Sequence, residues 1–173
     1  MKILITGATG FLGSHLVEEF IDQHQIVILK RSFSDVWRIS SLIDKLIVYD
    51  LDNLDLRCMF KKEKIEAVIH LATNYGRNAE SASEIVETNL LFPTNLFEAA
   101  IESGVNIFLN TDTSSKDNGS FYFASKKAFT ILLYCLYRKF KINVINLKLE
   151  YMYGPKDDDT KFIPRMIDGI LNN

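Results

Sequence analysis

Tyr122 and Lys126 sit four residues apart in the stretch Tyr122-Phe123-Ala124-Ser125-Lys126. On a helix that spacing puts both side chains on one face. A phenol of ordinary pKa, about 10, is a poor acid or base at neutral pH. A lysine ammonium beside it favours phenolate, so Lys126 is expected to lower the pKa of Tyr122. Upstream, Asn110-Thr111-Asp112-Thr113-Ser114-Ser115 supplies hydroxyls that can hold a substrate oxygen near Tyr122. Standing alone, the same polar cluster would form a turn or a helix cap.

A second constellation lies near the N-terminus. Thr6-Gly7-Ala8-Thr9-Gly10-Phe11-Leu12-Gly13 follows the apolar run Ile3-Leu4-Ile5 and opens an amphipathic segment, Phe11 to Ile21. A strand, a glycine turn and a helix start form a seat for a pyrophosphate, which rests on backbone amides at the helix N-terminus. Gly7, Gly10 and Gly13 close the turn, let the backbone approach phosphates and let the helix pack on the strand. Thr9, Phe11 and Leu12 lie between them and share the expected dinucleotide site.

The adenosine end should be read at the tips of the next strands. An NAD site usually carries an acid about 20 residues past the glycine turn, to take the ribose hydroxyls. Here the second strand ends Leu29-Lys30-Arg31-Ser32, with Arg31 18 residues beyond Gly13. A guanidinium suits a 2′-phosphate through bidentate geometry. NADP(H) is therefore the expected cofactor, and NAD(H) the alternative if Lys30 and Arg31 are ordinary exposed charges. Asp50 can accept from the adenine amino group while Leu51 covers the ring. Equally, Asp50 can cap the helix from Asn53.

The elements that must position these groups alternate in type. Short apolar runs predict strands at Lys2–Thr6, Gln25–Lys30, Lys45–Tyr49, Ala67–Leu71, Val105–Asn110 and Asn143–Leu149. Longer periodic runs predict helices at Phe11–Asp22, Asn53–Lys62, Ser83–Ser103, Phe121–Phe140 and Phe162–Leu171, with an irregular or short helical stretch at Phe33–Ile43. Gly104 is the expected stop of the helix before it. The pattern implies an α/β, Rossmann-type doubly wound parallel sheet of order 3-2-1-4-5-6, with helices on both faces.

Bulk properties narrow the function classes. The 173 residues are 47% hydrophobic and 24% charged with a formal net charge of −2, so no basic field invites nucleic acid. No apolar stretch reaches the ~20 residues of a membrane span. Cys58 and Cys135 lack metal-like spacing, and the three histidines are scattered, so no metal site is expected. Two reduced thiols and a start that enters a strand directly imply a cytoplasmic protein.

Taken in order, these motifs resemble those of the extended short-chain dehydrogenases/reductases, the NAD(P)-dependent epimerase/dehydratase group acting on nucleotide-sugars. The resemblance includes Gly7, Gly10 and Gly13, Asp50-Leu51, His70-Leu71-Ala72-Thr73 and Asn89. It continues through Thr111, Tyr122 and Lys126 to Tyr153-Gly154-Pro155. Within the group the chain is similar to CDP-abequose and CDP-paratose synthases in His70-Leu71-Ala72-Thr73-Asn74-Tyr75-Gly76, Phe108-Leu109-Asn110-Thr111-Asp112 and Leu149-Glu150-Tyr151-Met152-Tyr153-Gly154-Pro155. Those enzymes reduce a 4-keto-3,6-dideoxy-hexose carried on CDP.

The resemblance implies roles. Tyr122 exchanges a proton with the sugar O4, and Lys126 binds the nicotinamide ribose and tunes Tyr122. Thr111 orients the reacting oxygen, with Thr113 as the competing assignment. Leu71, Ala72 and Thr73 line the cofactor channel, and Asn89 is the buried helix polar group supporting it. The 4,6-dehydratases of the group carry an Asp-Glu pair after the active-site Thr; here Asp112 is followed by Thr113. Redox or epimerisation is therefore expected rather than dehydration. Many relatives also have an Asn where Tyr151 stands, so sugar recognition there differs.

The implied protein is an NADP(H)-dependent reductase, or alternatively an epimerase or dehydratase using bound NAD, in bacterial surface-polysaccharide synthesis. A homodimer through the helices beginning near Ser83 and at Phe121 is implied as well. Family members run on for roughly another 130 residues. Residues 1–155 thus read as the NAD(P)-binding domain and 156–173 as the start of an incomplete substrate-binding part. The rival is a non-catalytic NAD(P)-binding regulator, against which the intact Thr-Tyr-Lys set argues.

Overall fold

Burial follows the apolar runs strand by strand. In a computed structural model, which describes residues 1–114 and 119–172, all six are parallel: β1 (Lys2–Thr6), β2 (Gln25–Lys30), β3 (Ile47–Asp50), β4 (Ala67–His70), β5 (Ile107–Thr113) and β6 (Asn143–Leu149). Their order is β3-β2-β1-β4-β5-β6, the doubly wound arrangement expected. The order reverses between β1 and β4, so a crevice opens outside their carboxyl ends.

Alternation along each strand feeds two cores. Leu4, Val27 and Val68 point to one side with Phe60, Phe97, Phe108 and Phe129. These come from α2 (Leu56–Glu63), α4 (Phe92–Glu102), β5 and α5 (Phe121–Tyr137). Ile3, Ile5 and Ile28 point to the other, against Val17 of α1 (Phe11–Phe20) and Ile39 of a 3-10 segment, Trp37–Lys45. The last helix is α6 (Phe162–Leu171).

Several boundaries differ from expectation, three of them for plain local reasons. β5 runs on to Thr113, because Thr111 and Thr113 pair with Leu147 and Leu149 of β6 and so remain in the ladder. The second helix begins at Leu56, where Asp55 accepts from the Cys58 amide at 3.0 Å as its cap. The expected Ser83–Ser103 helix is α3 (Ala82–Val86), a π-turn over Glu87–Leu91, then α4. Pro93 explains the π-turn: it has no N–H for Asn89, four residues back, and its ring would clash with that carbonyl. The Phe92 amide instead donates to Glu87 O. Gly104, at φ +73°, ends α4 as expected.

Candidate active site

The glycine turn is closed by contacts that leave no room for side chains. Gly7 has φ +70°, and a Cβ there would lie 2.7 Å from the Ala72 amide nitrogen. A Cβ on Gly13 would lie 2.1 Å from Gly7 O, so α1 starts directly against the turn. Gly10 is the N-cap and offers no side-chain cap, and no acid stands in the first turn of α1. The first amides of a helix have no intrahelical partner, and its N-terminus carries the positive end of the dipole. This cradle of bare amides fits the pyrophosphate of a dinucleotide. Thr9, Phe11 and Leu12 are half-buried around it.

Thr6 locks the turn to the exit of β4. Its Oγ1 accepts from the Leu71 and Ala72 amides, both at 3.2 Å, and lies 2.8 Å from His70 Nδ1. Two donors already use the oxygen, so the Thr6 proton goes to Nδ1 and His70 carries its own proton on Nε2. That N–H has no hydrogen-bond partner among the described residues, and the ring lies among Phe92, Phe108 and Phe129. Burial pushes His70 well below the usual imidazole range, and the Lys126 charge acts in the same direction.

Leu71, Ala72 and Thr73 leave β4 half-buried beside the turn. Asn89 then fixes the start of the next loop. Its Oδ1 accepts from Thr73 Oγ1 (3.1 Å) and the Asn74 amide (2.8 Å), and its Nδ2 donates to Asn74 O (2.8 Å) and Ser125 Oγ (3.1 Å). The π-turn widens the helix at this residue, and such bulges are frequent at functional sites.

Tyr122 is half-buried at the start of α5, with Thr113 beside its phenol and Tyr75 4.9 Å away ring to ring. Its phenol is pushed up, not down. Burial is the main cause; the Thr113 side chain opposes it, Tyr75 and Asp112 add to it, and Arg77 opposes it. Lys126 is not among these groups, so the expected lowering by the lysine does not occur in this arrangement. Lys126 is itself almost fully buried, which drops it to about 8, with Asp112 opposing and Lys127 adding. Asp112 is committed to Lys127 Nζ at 2.9 Å.

Thr111, the expected orienting residue, and Thr113, its competitor, have different neighbours. Thr111 Oγ1 donates to His70 O at 3.1 Å. It follows Asn110, which pairs with His70, the last rung of β4, so it stands one residue past that strand and reaches back to it. Thr113 lies two residues further along β5, beside the Tyr122 phenol. Ser115 of the same cluster lies outside the described residues.

At the adenosine end, Asp50 accepts from the Asp52 amide at 3.1 Å and so acts as a turn cap, while Leu51 packs on the core. Arg31 is exposed, its guanidinium 4.7 Å above the Phe33 ring. Asp52, not anticipated, accepts from the Ser32 amide at 3.2 Å; the Ser32 hydroxyl first, and this amide second, hold its carboxyl low. Among the described residues no three His, Cys, Asp or Glu side chains gather as a metal site.

Residues 3–173 match the model of the NAD dependent epimerase/dehydratase family. The chain belongs to this family. It is 36% identical to the CDP-abequose synthase of Salmonella muenchen, over 99% of this chain and 60% of that protein. It is 30% identical to the dTDP-D-glucose 4,6-dehydratase of Dictyostelium discoideum, over 99% of this chain and 48% of that one. Among solved structures, the UDP-glucuronic acid 4-epimerase of Bacillus cereus in complex with NAD superposes with a TM-score of 0.84 at 25% identity, covering 99% of this chain and 63% of that one. The chain thus spans about 60% of the length of the CDP-abequose synthase it resembles. No helix among the described residues is long and apolar enough to cross a membrane.

Proposed function

We propose that the chain carries the cofactor half, with the proton-transfer group, of an NADP(H)-dependent oxidoreductase that reduces a 4-keto-hexose nucleotide-sugar. One observation supports this most: the Tyr122 phenol lies beside the Thr113 side chain at the carboxyl end of β5, on the side where the glycine turn opens. A bound nicotinamide dinucleotide supplies or accepts the hydride. The bare amides at the start of α1 would hold its pyrophosphate, and Leu71, Ala72 and Thr73 its flank. Tyr122 exchanges a proton with the oxygen at the sugar C4, and Thr113 orients that oxygen. Thr111 holds the strands in step. Lys126, buried one helical turn beyond Tyr122, is placed to meet the nicotinamide ribose.

Arg31 supports NADP(H) over NAD(H), since it is the cation free to turn from the Phe33 ring toward a 2′-phosphate. The relatives that bind NAD and the acid at the β2 tip, Asp52, keep a 4-epimerase as the second reading. Residues 1–155 would form the dinucleotide-binding domain, with the segment from 156 opening toward the sugar. Ile131, Leu132 and Tyr134, exposed along α5, support pairing with a second copy.

The test is Tyr122→Phe, assayed by NADPH oxidation with a CDP-4-keto-hexose. NADPH affinity should hold while turnover falls by about 100-fold or more, the usual contribution of a positioned acid. Unchanged turnover would overturn the reading.

A further inference from the structure

Tyr122 is the inner member of a ladder. Tyr75 lies 4.9 Å from it, ring centre to ring centre, with the planes 33° apart. The Arg77 guanidinium lies 4.7 Å above the Tyr75 ring. Tyr75 is half exposed and Arg77 exposed, so neither is explained by the core. The loop that carries them is not loosely hung. Asn89 bonds both backbone groups of Asn74, and Asn74 Oδ1 accepts from the Gly76 amide at 2.9 Å. Gly76 has φ +70°, which lets the chain turn between the two rungs. The same Asn89 reaches Ser125, whose Oγ donates to Tyr122 O at 3.0 Å. One side chain thus fixes both sides of the stack.

We propose that Tyr75 and Arg77 are positioning residues for Tyr122: Tyr75 sets the plane of the phenol ring, and Arg77, held on Tyr75, supplies the positive potential that Lys126 does not. This rests on Tyr122 being the proton-transfer group. A guanidinium stacked on an aromatic face is held by cation–π attraction, stronger than a freely moving surface charge would allow. Among the described residues, the groups facing the phenol are Thr113 and Asp112 from β5, and Tyr75 and Arg77 from the loop after β4. Arg77 is the cation among them, and it alone of these charges favours phenolate.

The experiment follows the phenol directly, without turnover. Tyrosine 13Cζ signals are titrated in the intact chain, and the Tyr122 signal is assigned by its loss in Tyr122→Phe. Arg77→Leu should raise the Tyr122 pKa by about half a unit, an effect of the size expected for one screened charge through a half-buried path. Arg77→Lys should restore most of it, and high salt should shrink the difference. In a Tyr75→Ala background the Arg77→Leu shift should largely vanish, whereas in Tyr75→Phe it should persist. An unchanged titration in Arg77→Leu overturns the proposal, and so does a full shift that survives Tyr75→Ala. Failure of the catalytic reading would show separately, as a Tyr122→Phe variant with normal turnover.

Discussion

Asn89 Nδ2 donates to Ser125 Oγ over 3.1 Å, and this bond joins the π-turn before α4 to the helix that carries Tyr122. The amide of Asn89 has two donors and two acceptor positions, and all four bonds are made inside the protein. A loop after β4 and the start of α5 therefore have one relative position, set by a residue that reaches neither the glycine turn nor the phenol.

Replacing Asn89 tests whether that arrangement has energetic weight. Asn89→Leu keeps the volume but leaves the buried Asn74 amide and carbonyl short of partners. It should destabilise the fold by about 2–4 kcal/mol, as unmet buried groups do. Asn89→Asp keeps the acceptors, loses the donors and should fall between. Urea midpoints read this, and a neutral Asn89→Leu would show that the amide merely fills space.

Gly13→Ala isolates the packing of α1 on the glycine turn. The new Cβ would meet Gly7 O at 2.1 Å, and both partners are backbone, so the turn itself must move. A loss of about 1–3 kcal/mol is expected from such overpacking, together with at least a tenfold weaker hold on NADPH as the amides leave their places. Gly104→Ala is the control. It also strains a left-handed residue, at φ +73°, but meets nothing within 4 Å. It should cost stability while leaving dinucleotide affinity unchanged, as fluorescence titration would show.

Much of the fold was legible in the residues because the signals were local and periodic. Ile3-Leu4-Ile5 before a glycine triplet could be placed on a strand and a helix without knowing any contact. The sheet order followed from alternation of strand and helix. The polar residues of the site were harder to read. Whether Thr111 or Thr113 meets Tyr122 depends on where β5 outlasts β4, which is a matter of ladder pairing. Lys126 shares a helix face with Tyr122, yet the environment set by Asp112 and burial governs its charge. Asp52 reached the β2 tip from the end of β3, a tertiary meeting with no spacing signature. Pro93 was a readable sign of helix disturbance, since its missing N–H falls on Asn89.

Arg31→Ala separates the two cofactors. Arg31 is exposed and stacked on Phe33, and among the described residues no acid accepts a hydrogen bond from its guanidinium, although Asp52 attracts it, so it can turn toward an added phosphate. Losing a bidentate charge contact should weaken NADPH by about tenfold or more while NADH changes little. Equal losses would assign Arg31 to the adenosine generally, and then Asp52 would be the better candidate for the ribose.

The pH dependence of stability should carry the mark of His70. Its folded pKa lies well below the ordinary histidine value, because burial removes the imidazolium from water and Lys126 repels it. In the unfolded chain the same side chain titrates near its ordinary pKa of about 6.5. Below that pH the unfolded state binds a proton that the folded state refuses. Stability must then fall as the pH drops, by up to about 1.4 kcal/mol per unit. Above it the two states bind equally and the contribution is flat. Urea unfolding between pH 7.5 and pH 5, conditions chosen to stay above the carboxylate range, should show this bend near about pH 6.5. His70→Gln should flatten it even if the variant is less stable throughout, since the slope and not the height reports the proton. A bend of the same steepness in His70→Gln would place the titrating group elsewhere and remove His70 from the account.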